Sequence, residues 1–161
     1  MAQEIERKFL VANEGWRPYV IRSERLRDGL IATDEGRKVR VRFYDGQATI
    51  CVKGRRNGLE RDEYEYPIPA ADAHEMLDRH CNGDVVEKVR YHVPAQGLTW
   101  TVDVYDGLLS GIVIAEVELP ARDTAFPRPH WLGPEVTGQQ AYRKINMVAA
   151  RKQALAAQAC S

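Results

Sequence analysis

The sequence lacks the features that mark several protein classes. No apolar run approaches the ~20 residues that a membrane-spanning helix needs, so we expect no transmembrane segment. Residues Met1 to Glu6 contain neither a basic region nor an apolar core, so no secretory signal peptide is expected. Three cysteines, Cys51, Cys81 and Cys160, form no CxxC spacing, which argues against a disulfide framework and a zinc knuckle. These absences predict a cytoplasmic protein.

The sequence also has no net charge. Its 161 residues include 23 Lys and Arg against 23 Asp and Glu, which gives a formal net charge of zero. Balanced charge provides no global attraction to nucleic acid or to an anionic membrane, so neither partner is expected. The glycine-loop motifs GxxxxGK[ST] and GxGxxG are absent, as are the catalytic motifs HExxH and GxSxG. Any phosphate would therefore be bound by side chains rather than by a glycine-rich loop.

Charge at every second residue is the pattern that the sequence does contain. In the run 38–43, for example, Lys38, Arg40 and Arg42 alternate with valine and phenylalanine. Side chains i and i+2 of a strand share a face and lie roughly 6.6 Å apart, so each such strand has one charged face and one apolar face. Turn signals such as Asp45-Gly46 separate these segments. Eight strands are predicted, at roughly 3–11, 23–33, 37–45, 47–54, 59–67, 84–93, 98–105 and 112–119.

Two segments with helical spacing of apolar residues accompany the strands. They predict a helix over 71–80 that ends at Asn82-Gly83, and a second helix over 138–157. The proline-rich stretch 126–134 predicts a loop. No repeat, low-complexity tract or linker divides the chain, so residues 1–161 are expected to form one domain with a core over about 3–150. The predicted fold class is α+β, mainly antiparallel β.

The charged strand faces allow two interpretations. For any single pair of charges, the simpler interpretation is the solvated face of a half-buried strand. An antiparallel sheet of eight strands, however, tends to close into a barrel, and peripheral helices can cover its apolar outer face. The sequence therefore predicts an eight-stranded, closed, tunnel-like barrel with a charged lumen. Its predicted acidic residues are Glu4, Glu6, Glu63, Glu65, Asp103, Glu116 and Glu118, and its basic residues are Lys8, Arg40, Arg42, Lys53, Arg61, Lys88 and Arg90.

So many charges cannot be buried dry, so the cavity must contain water and serve charged ligands. Carboxylates clustered without histidine or cysteine favour hard cations such as Mg²⁺ or Mn²⁺. A ring of arginine and lysine favours a polyanion, because arginine binds phosphate through two parallel hydrogen bonds. A divalent metal with a polyphosphate satisfies both sets.

The same residues carry a family resemblance. The N-terminal Glu4-Ile-Glu6-Arg-Lys8 resembles the ExExK signature of the CYTH superfamily, the triphosphate tunnel metalloenzymes. The resemblance extends from Glu4 to about Ala150. Six further motifs follow in the family order: Val39-Arg-Val-Arg42, Val52-Lys53-Gly, Arg61-Asp-Glu-Tyr-Glu65, Lys88-Val-Arg90, Val102-Asp103-Val and Glu116-Val-Glu118. One departure is Gly29-Leu30-Ile31, where close relatives often have Gly-Tyr-Leu, so any role of that tyrosine hydroxyl is missing here.

The resemblance implies an inorganic triphosphatase that acts on tripolyphosphate with two divalent ions. The basic lumen residues would bind the three phosphates. Glu116 and Glu118, with Glu4 or Glu6, would hold one metal. Glu63 or Glu65, with Asp103, would hold a second metal that orients the attacking water. The expected catalytic residues are Lys8, Arg40, Arg42, Glu63 and Asp103.

Three alternatives stay open at this point. A class IV adenylate cyclase would use the same barrel on ATP, and a thiamine triphosphatase would use it on another organic triphosphate. A non-catalytic module that binds polyphosphate or nucleotide is the third, although binding alone does not need the full carboxylate set. The sequence also leaves the oligomeric state open, with a homodimer as one option.

Overall fold

The computed structural model describes residues 3–81 and 85–160. The predicted helix end at Asn82-Gly83 and the predicted strand start at residue 84 lie outside the described residues. Within them, the predicted bounds of the eight strands agree with the structure to within two residues. The elements are β1 (Gln3–Val11), β2 (Arg22–Asp34), β3 (Arg37–Tyr44), β4 (Gln47–Lys53), β5 (Glu60–Ile68), α1 (Ala70–Arg79), β6 (Val85–Ala95), β7 (Leu98–Tyr105), β8 (Val113–Glu118), β9 (Leu132–Glu135) and α2 (Lys144–Ala159).

Strands β1 to β8 form a closed antiparallel barrel. Around the barrel the order is β1-β8-β7-β6-β2-β3-β4-β5, and β5 pairs again with β1. Strand β1 pairs with β5 over Gln3–Ile5 on one edge and with β8 over Glu6–Leu10 on the other. The predicted eight-stranded barrel is therefore confirmed.

The ninth strand was not predicted. β9 lies in the segment interpreted as a proline-rich loop, and it pairs with the second half of β1 through Phe9–Glu135 and Val11–Leu132. Pro134 lies within β9, which is possible because an edge strand does not need every backbone N–H for pairing. Because the segment is rich in proline, its sequence does not match the alternating pattern that predicts a strand.

The outer face of the barrel is covered partly by α1 and partly by tryptophan-bearing segments. Ala73 and Leu77 of α1 pack against Val41 and Ala48. On the other side, Trp100 of β7 is buried and contacts Trp131 edge-to-face, with ring centroids 5.7 Å apart. Trp131 comes from the segment before β9, so an irregular segment rather than a helix completes this part of the core.

Helix α2 has a different position from α1, and it begins at Lys144 rather than at the predicted residue 138. Gly138 has a φ of 74°, in the left-handed region that a right-handed helix excludes, and Arg143 is extended. Met147 and Val148 pack in one cluster with Tyr105 and Ile114. By strand alternation, Tyr105 and Ile114 share the inward face with Asp103 and Glu116, so α2 packs against the interior of the barrel.

Among the described residues, no helix combines the length and the apolarity required to span a membrane.

The contribution of the irregular segment to the core can be tested with Trp131→Ala. Trp131 is 2% exposed, so its truncation leaves a cavity, and we expect the free energy of unfolding to fall by about 3–5 kcal/mol. Tyr66→Ala, at a side chain that is 59% exposed, is the matched control and should change stability little. Urea denaturation measures both. Equal effects of the two substitutions would contradict a core role for Trp131.

Candidate functional site

A cavity of about 1180 Å³ occupies the lumen, and the predicted residues converge on it. Of the fourteen predicted charged residues, all except Asp103 line this cavity. The strand register explains the convergence, because Lys8 lies opposite Glu116, and Lys38 and Glu63 flank Lys53 from the two neighbouring strands.

The cavity is more positive than the sequence pattern predicted. The additional acidic lining residues are Asp28 and Glu35, and the additional basic ones are Lys38, Arg55, Arg56, Arg143, Lys144 and Lys152. The lining therefore includes thirteen basic and eight acidic side chains instead of seven of each. Most of the additional residues lie at strand ends, in turns or in the C-terminal segment, where two-residue alternation gives no signal. The excess of positive charge favours an anionic ligand.

The first buried charge cluster is centred on Asp103 of β7, which is fully buried. Its carboxylate accepts a 2.5 Å hydrogen bond from Lys88 Nζ and two 2.8 Å hydrogen bonds from the Arg90 guanidinium. Burial opposes the charge on Asp103, but Lys88 and Arg90 outweigh it and hold the pKa of Asp103 below its usual range. The predicted role of Asp103 as a metal ligand would require at least one of these bonds to be released.

The second cluster is centred on Asp28 of β2, which sequence reasoning missed. Arg42 binds both Asp28 oxygens, at 2.7 Å and 3.0 Å, and Lys144 Nζ of α2 donates to Oδ2 at 2.5 Å. Burial disfavours the ionised form of Asp28, but Lys144 and Arg42 hold its pKa well below the usual range. Asp28 was missed because its lumen-facing neighbours, Leu26 and Leu30, are not charged. It joins α2 to the wall of the barrel.

The third cluster lies where β1, β4 and β5 meet. Lys53 Nζ lies 2.8 Å from Glu63 Oε2 and 3.2 Å from Glu4 Oε1. Arg61 Nε donates to Glu4 at 2.7 Å, and Arg56 donates to Glu6 at 2.8 Å. Each pair joins two different strands or a strand and a neighbouring turn, so these pairs also connect the barrel where β5 meets β1.

Two of the predicted metal-binding carboxylates occupy paired positions of β1 and β8. Glu6 of β1 lies directly opposite Glu118 of β8. Burial, with the negative charges of Glu116 and Glu4, raises the pKa of Glu6 to about 7. Burial, with Glu4 and Glu63, also raises the pKa of Glu118. Nearby negative charges disfavour the ionisation of a carboxylate, and a cation bound beside Glu6 and Glu118 would remove that cost.

The remaining predicted acids differ in their surroundings. Glu116 lies 3.3 Å from Lys8 Nζ, and despite burial the charges of Lys8 and Arg90 hold its pKa well below the usual range. The ligand atoms of Glu63, Glu65 and Cys51 lie within 4.8 Å of one another. Cys51 donates to Glu63 at 3.2 Å, and Thr49 donates to Glu65 at 2.7 Å. All of these side chains lie on inward strand faces, as the alternation predicted.

Arg40 of β3 is the least neutralised of the predicted basic residues. Its only ion pair in the described part of the chain is a 3.9 Å contact with Asp28, which Arg42 and Lys144 already occupy. Its Nε is buried and has no hydrogen-bond partner. Leu30, at the position of the family tyrosine, lies directly opposite Arg40 and offers no acceptor. Arg40 therefore has unused hydrogen-bonding capacity beside the cavity.

The pKa of Glu6 gives a testable pH dependence. The unfolded chain releases the Glu6 proton near pH 4.5, whereas the folded protein retains it to about pH 7. The free energy of unfolding should therefore fall as pH rises through this window. Glu6→Gln removes that loss, so at pH 8 with a chelator present it should stabilise the protein by about 1–3 kcal/mol.

Urea denaturation at pH 4.5 and pH 8 measures this effect, and the substitution should matter little at the lower pH. Glu14→Gln, at an exposed side chain, is the control. A lower unfolding midpoint for Glu6→Gln at pH 8 would show that Glu6 is charged and stabilised in the folded protein.

Comparisons with known proteins agree with this geometry. The CYTH domain family matches residues 2–146. An inorganic triphosphatase from Acetivibrio thermocellus is 40% identical over 148 residues, which cover 92% of this chain and 94% of that protein. An inorganic triphosphatase from Nitrosomonas europaea is 36% identical over 145 residues, which cover 87% of this chain and 93% of the relative. The crystal structure of the inorganic triphosphatase NE1496 superposes with a TM-score of 0.63 and 32% identity, covering 94% of this chain and 96% of that chain. This chain therefore belongs to the CYTH domain family.

Proposed function

We propose that this protein hydrolyses inorganic tripolyphosphate in a reaction that depends on divalent metal ions. The observation that carries the proposal is the cavity inside the closed barrel, whose lining in the described part of the chain has thirteen basic and eight acidic side chains. Two relatives that cover most of the chain are named inorganic triphosphatases, which supports the same substrate. A non-catalytic anion-binding module would need the basic residues but would gain nothing from the group of clustered glutamates.

The basic residues would align the phosphates without large rearrangement. Arg42 and Arg90 each form two hydrogen bonds to a buried aspartate, which fixes the plane of each guanidinium before substrate binds. Lys8, Arg40 and Lys53 line other parts of the same cavity. Fixed donors of this kind stabilise the charge that develops on the phosphoryl oxygens, which is most of what phosphoryl transfer requires of a protein.

The glutamates that line the cavity form a donor set that fits a hard divalent cation such as Mg²⁺ or Mn²⁺. Glu116 and Glu118, with Glu4 or Glu6, would hold one ion, and Glu63 or Glu65 would contribute to a second. The fit is supported by oxygen-only donors at the β1–β8 junction and by the raised pKa values of Glu6 and Glu118. When bound, such an ion would neutralise phosphate oxygens and acidify a coordinated water. Asp103 would instead orient Lys88 and Arg90.

The proposed reaction is direct attack by water on a terminal phosphorus atom. The anhydride P–O bond breaks, and the products are phosphate and pyrophosphate. Burial raises the pKa of Cys51 to about 11, so its thiol stays protonated at neutral pH and is a poor nucleophile. No covalent intermediate is needed.

The metal assignment is tested with Glu116→Gln and Glu118→Gln. Each amide keeps the side-chain shape but removes the charge, so we expect kcat/KM for tripolyphosphate to fall by about 10²-fold or more. Glu87→Gln, on the same type of strand but at a 43% exposed side chain, is the matched control. Phosphate release at saturating Mg²⁺ or Mn²⁺ is the measurement. Turnover near the wild-type level in both site variants would remove them from the metal site.

The substrate assignment is tested by comparing tripolyphosphate, ATP, thiamine triphosphate and pyrophosphate. Tyr142 is the one aromatic side chain that lines the cavity within the described ranges, and it also packs against the cluster around Tyr105 and Leu109. A single aromatic ring that already packs against other side chains offers little surface on which an adenine base or a thiazole could stack. We therefore expect kcat/KM to be highest for tripolyphosphate. Phosphate release and nucleotide chromatography measure the four reactions. Cyclic AMP as the main product from ATP would favour the cyclase alternative.

A further inference from the structure

Three basic side chains of the cavity differ from their neighbours, because they lack a close carboxylate. Other cavity cations have short pairs, such as Lys53 with Glu63 at 2.8 Å and Arg56 with Glu6 at 2.8 Å. Across residues 3–81 and 85–160, neither Lys38 nor Arg143 has a carboxylate oxygen within 4.0 Å, and Arg40 has only its 3.9 Å contact with Asp28. Buried and half-buried charges in proteins are usually paired, so these three exceptions need a reason.

The three exceptions come from two elements that line the same cavity. Lys38 and Arg40 are two residues apart on β3 and share its inward face, and Arg143 is the residue immediately before α2. All three line the cavity. The strongest charge effects on the pKa of Lys38 come from Arg61, Arg143, Lys8 and Lys53, which are all positive. Positive charge therefore accumulates around Lys38, on the side of the cavity that the inward face of β3 and Arg143 both reach.

Two further features of this location favour an anion. The start of α2 has no acidic residue in its first turn and no side-chain hydrogen bond that caps it. The Nε of Arg40 is a buried donor without an acceptor. A phosphate oxygen would supply the missing acceptor and counter-charge. Burial and the neighbouring cations also lower the pKa of Lys38 to about 8, as expected where positive charge is not neutralised.

We propose that Lys38, Arg40 and Arg143 form an anion subsite, the β3–α2 subsite, that binds one phosphate group of the substrate. Lys38 and Arg143 are thereby further substrate-binding residues, and the segment that begins α2 takes part directly in binding. The inference rests on the proposed function in taking the anion to be a phosphate group of tripolyphosphate. It differs from the predicted set of seven basic residues, which came only from strand motifs.

The test measures binding and turnover separately. Lys38→Met and Arg143→Met remove one charge each while keeping much of the apolar stem. Each should raise the Kd for tripolyphosphate about tenfold, the effect of one lost charge-assisted contact. The double variant should weaken binding by less than the product of the two effects, because both residues contact the same phosphate group. Lys38→Arg and Arg143→Lys keep the charge and should retain most of the affinity.

Arg37→Met is the matched control, since Arg37 is next to Lys38 but belongs to the opposite, exposed face of β3. Calorimetry with tripolyphosphate gives Kd, and phosphate release gives kcat and KM. If wild-type protein binds and hydrolyses tripolyphosphate but both methionine variants bind as tightly as Arg37→Met, the subsite is wrong and the proposed function stands. If wild-type protein binds without hydrolysis and the variants bind weakly, the subsite stands and the proposed function fails. Absence of wild-type binding overturns both.

Discussion

Charge pairing inside a closed barrel is the constraint on which the rest of the structure depends. Closure turns the alternating charged faces of eight strands into one shared space, where unpaired charges are costly. Asp28 and Asp103 meet part of this constraint at buried positions, because each accepts hydrogen bonds from two cations and fixes their direction. Among the described residues, Glu118 of β8 and Arg143, the residue before α2, line the cavity without an ion pair. The proposed cation site and the proposed anion subsite each include one of these two side chains.

Helix α2 links the apolar core to this electrostatic arrangement. Met147 and Val148 anchor it against Tyr105 and Ile114 inside the barrel, while Lys144 forms a buried pair with Asp28. The charged side chains that the helix contributes to the cavity lining, Lys144 and Lys152, are both cations, so its position increases the positive charge that the strands alone would give. The same contacts that hold α2 in place therefore also add to the positive charge of the cavity lining.

Much of the barrel and of the cavity lining could be predicted from the sequence, because a period of two is a direct consequence of strand geometry. Glu116 and Glu118, or Arg40 and Arg42, identify an inward face without any knowledge of their partners. The same logic fails for Asp28, whose nearest neighbours on the inward face, Leu26 and Leu30, are apolar, and for Lys144, which belongs to a helix. It also fails for β9, because Pro134 is not expected in a strand. This edge strand tolerates the proline because it needs few backbone donors. The start of α2 was misplaced because apolar spacing alone does not register the left-handed backbone at Gly138.

The position of β1 has a consequence for how the molecule assembles. Glu4, Glu6 and Lys8 are near the start of the chain, yet Glu6 pairs with Glu118 and Glu4 pairs with Arg61. Bringing such distant residues together costs loop-closure entropy before any pairing energy is gained, so contacts of this kind form slowly. Glu4, Glu6 and Lys8 reach their places in the cavity lining only once β1 pairs with both β5 and β8, so the site exists only in the closed barrel.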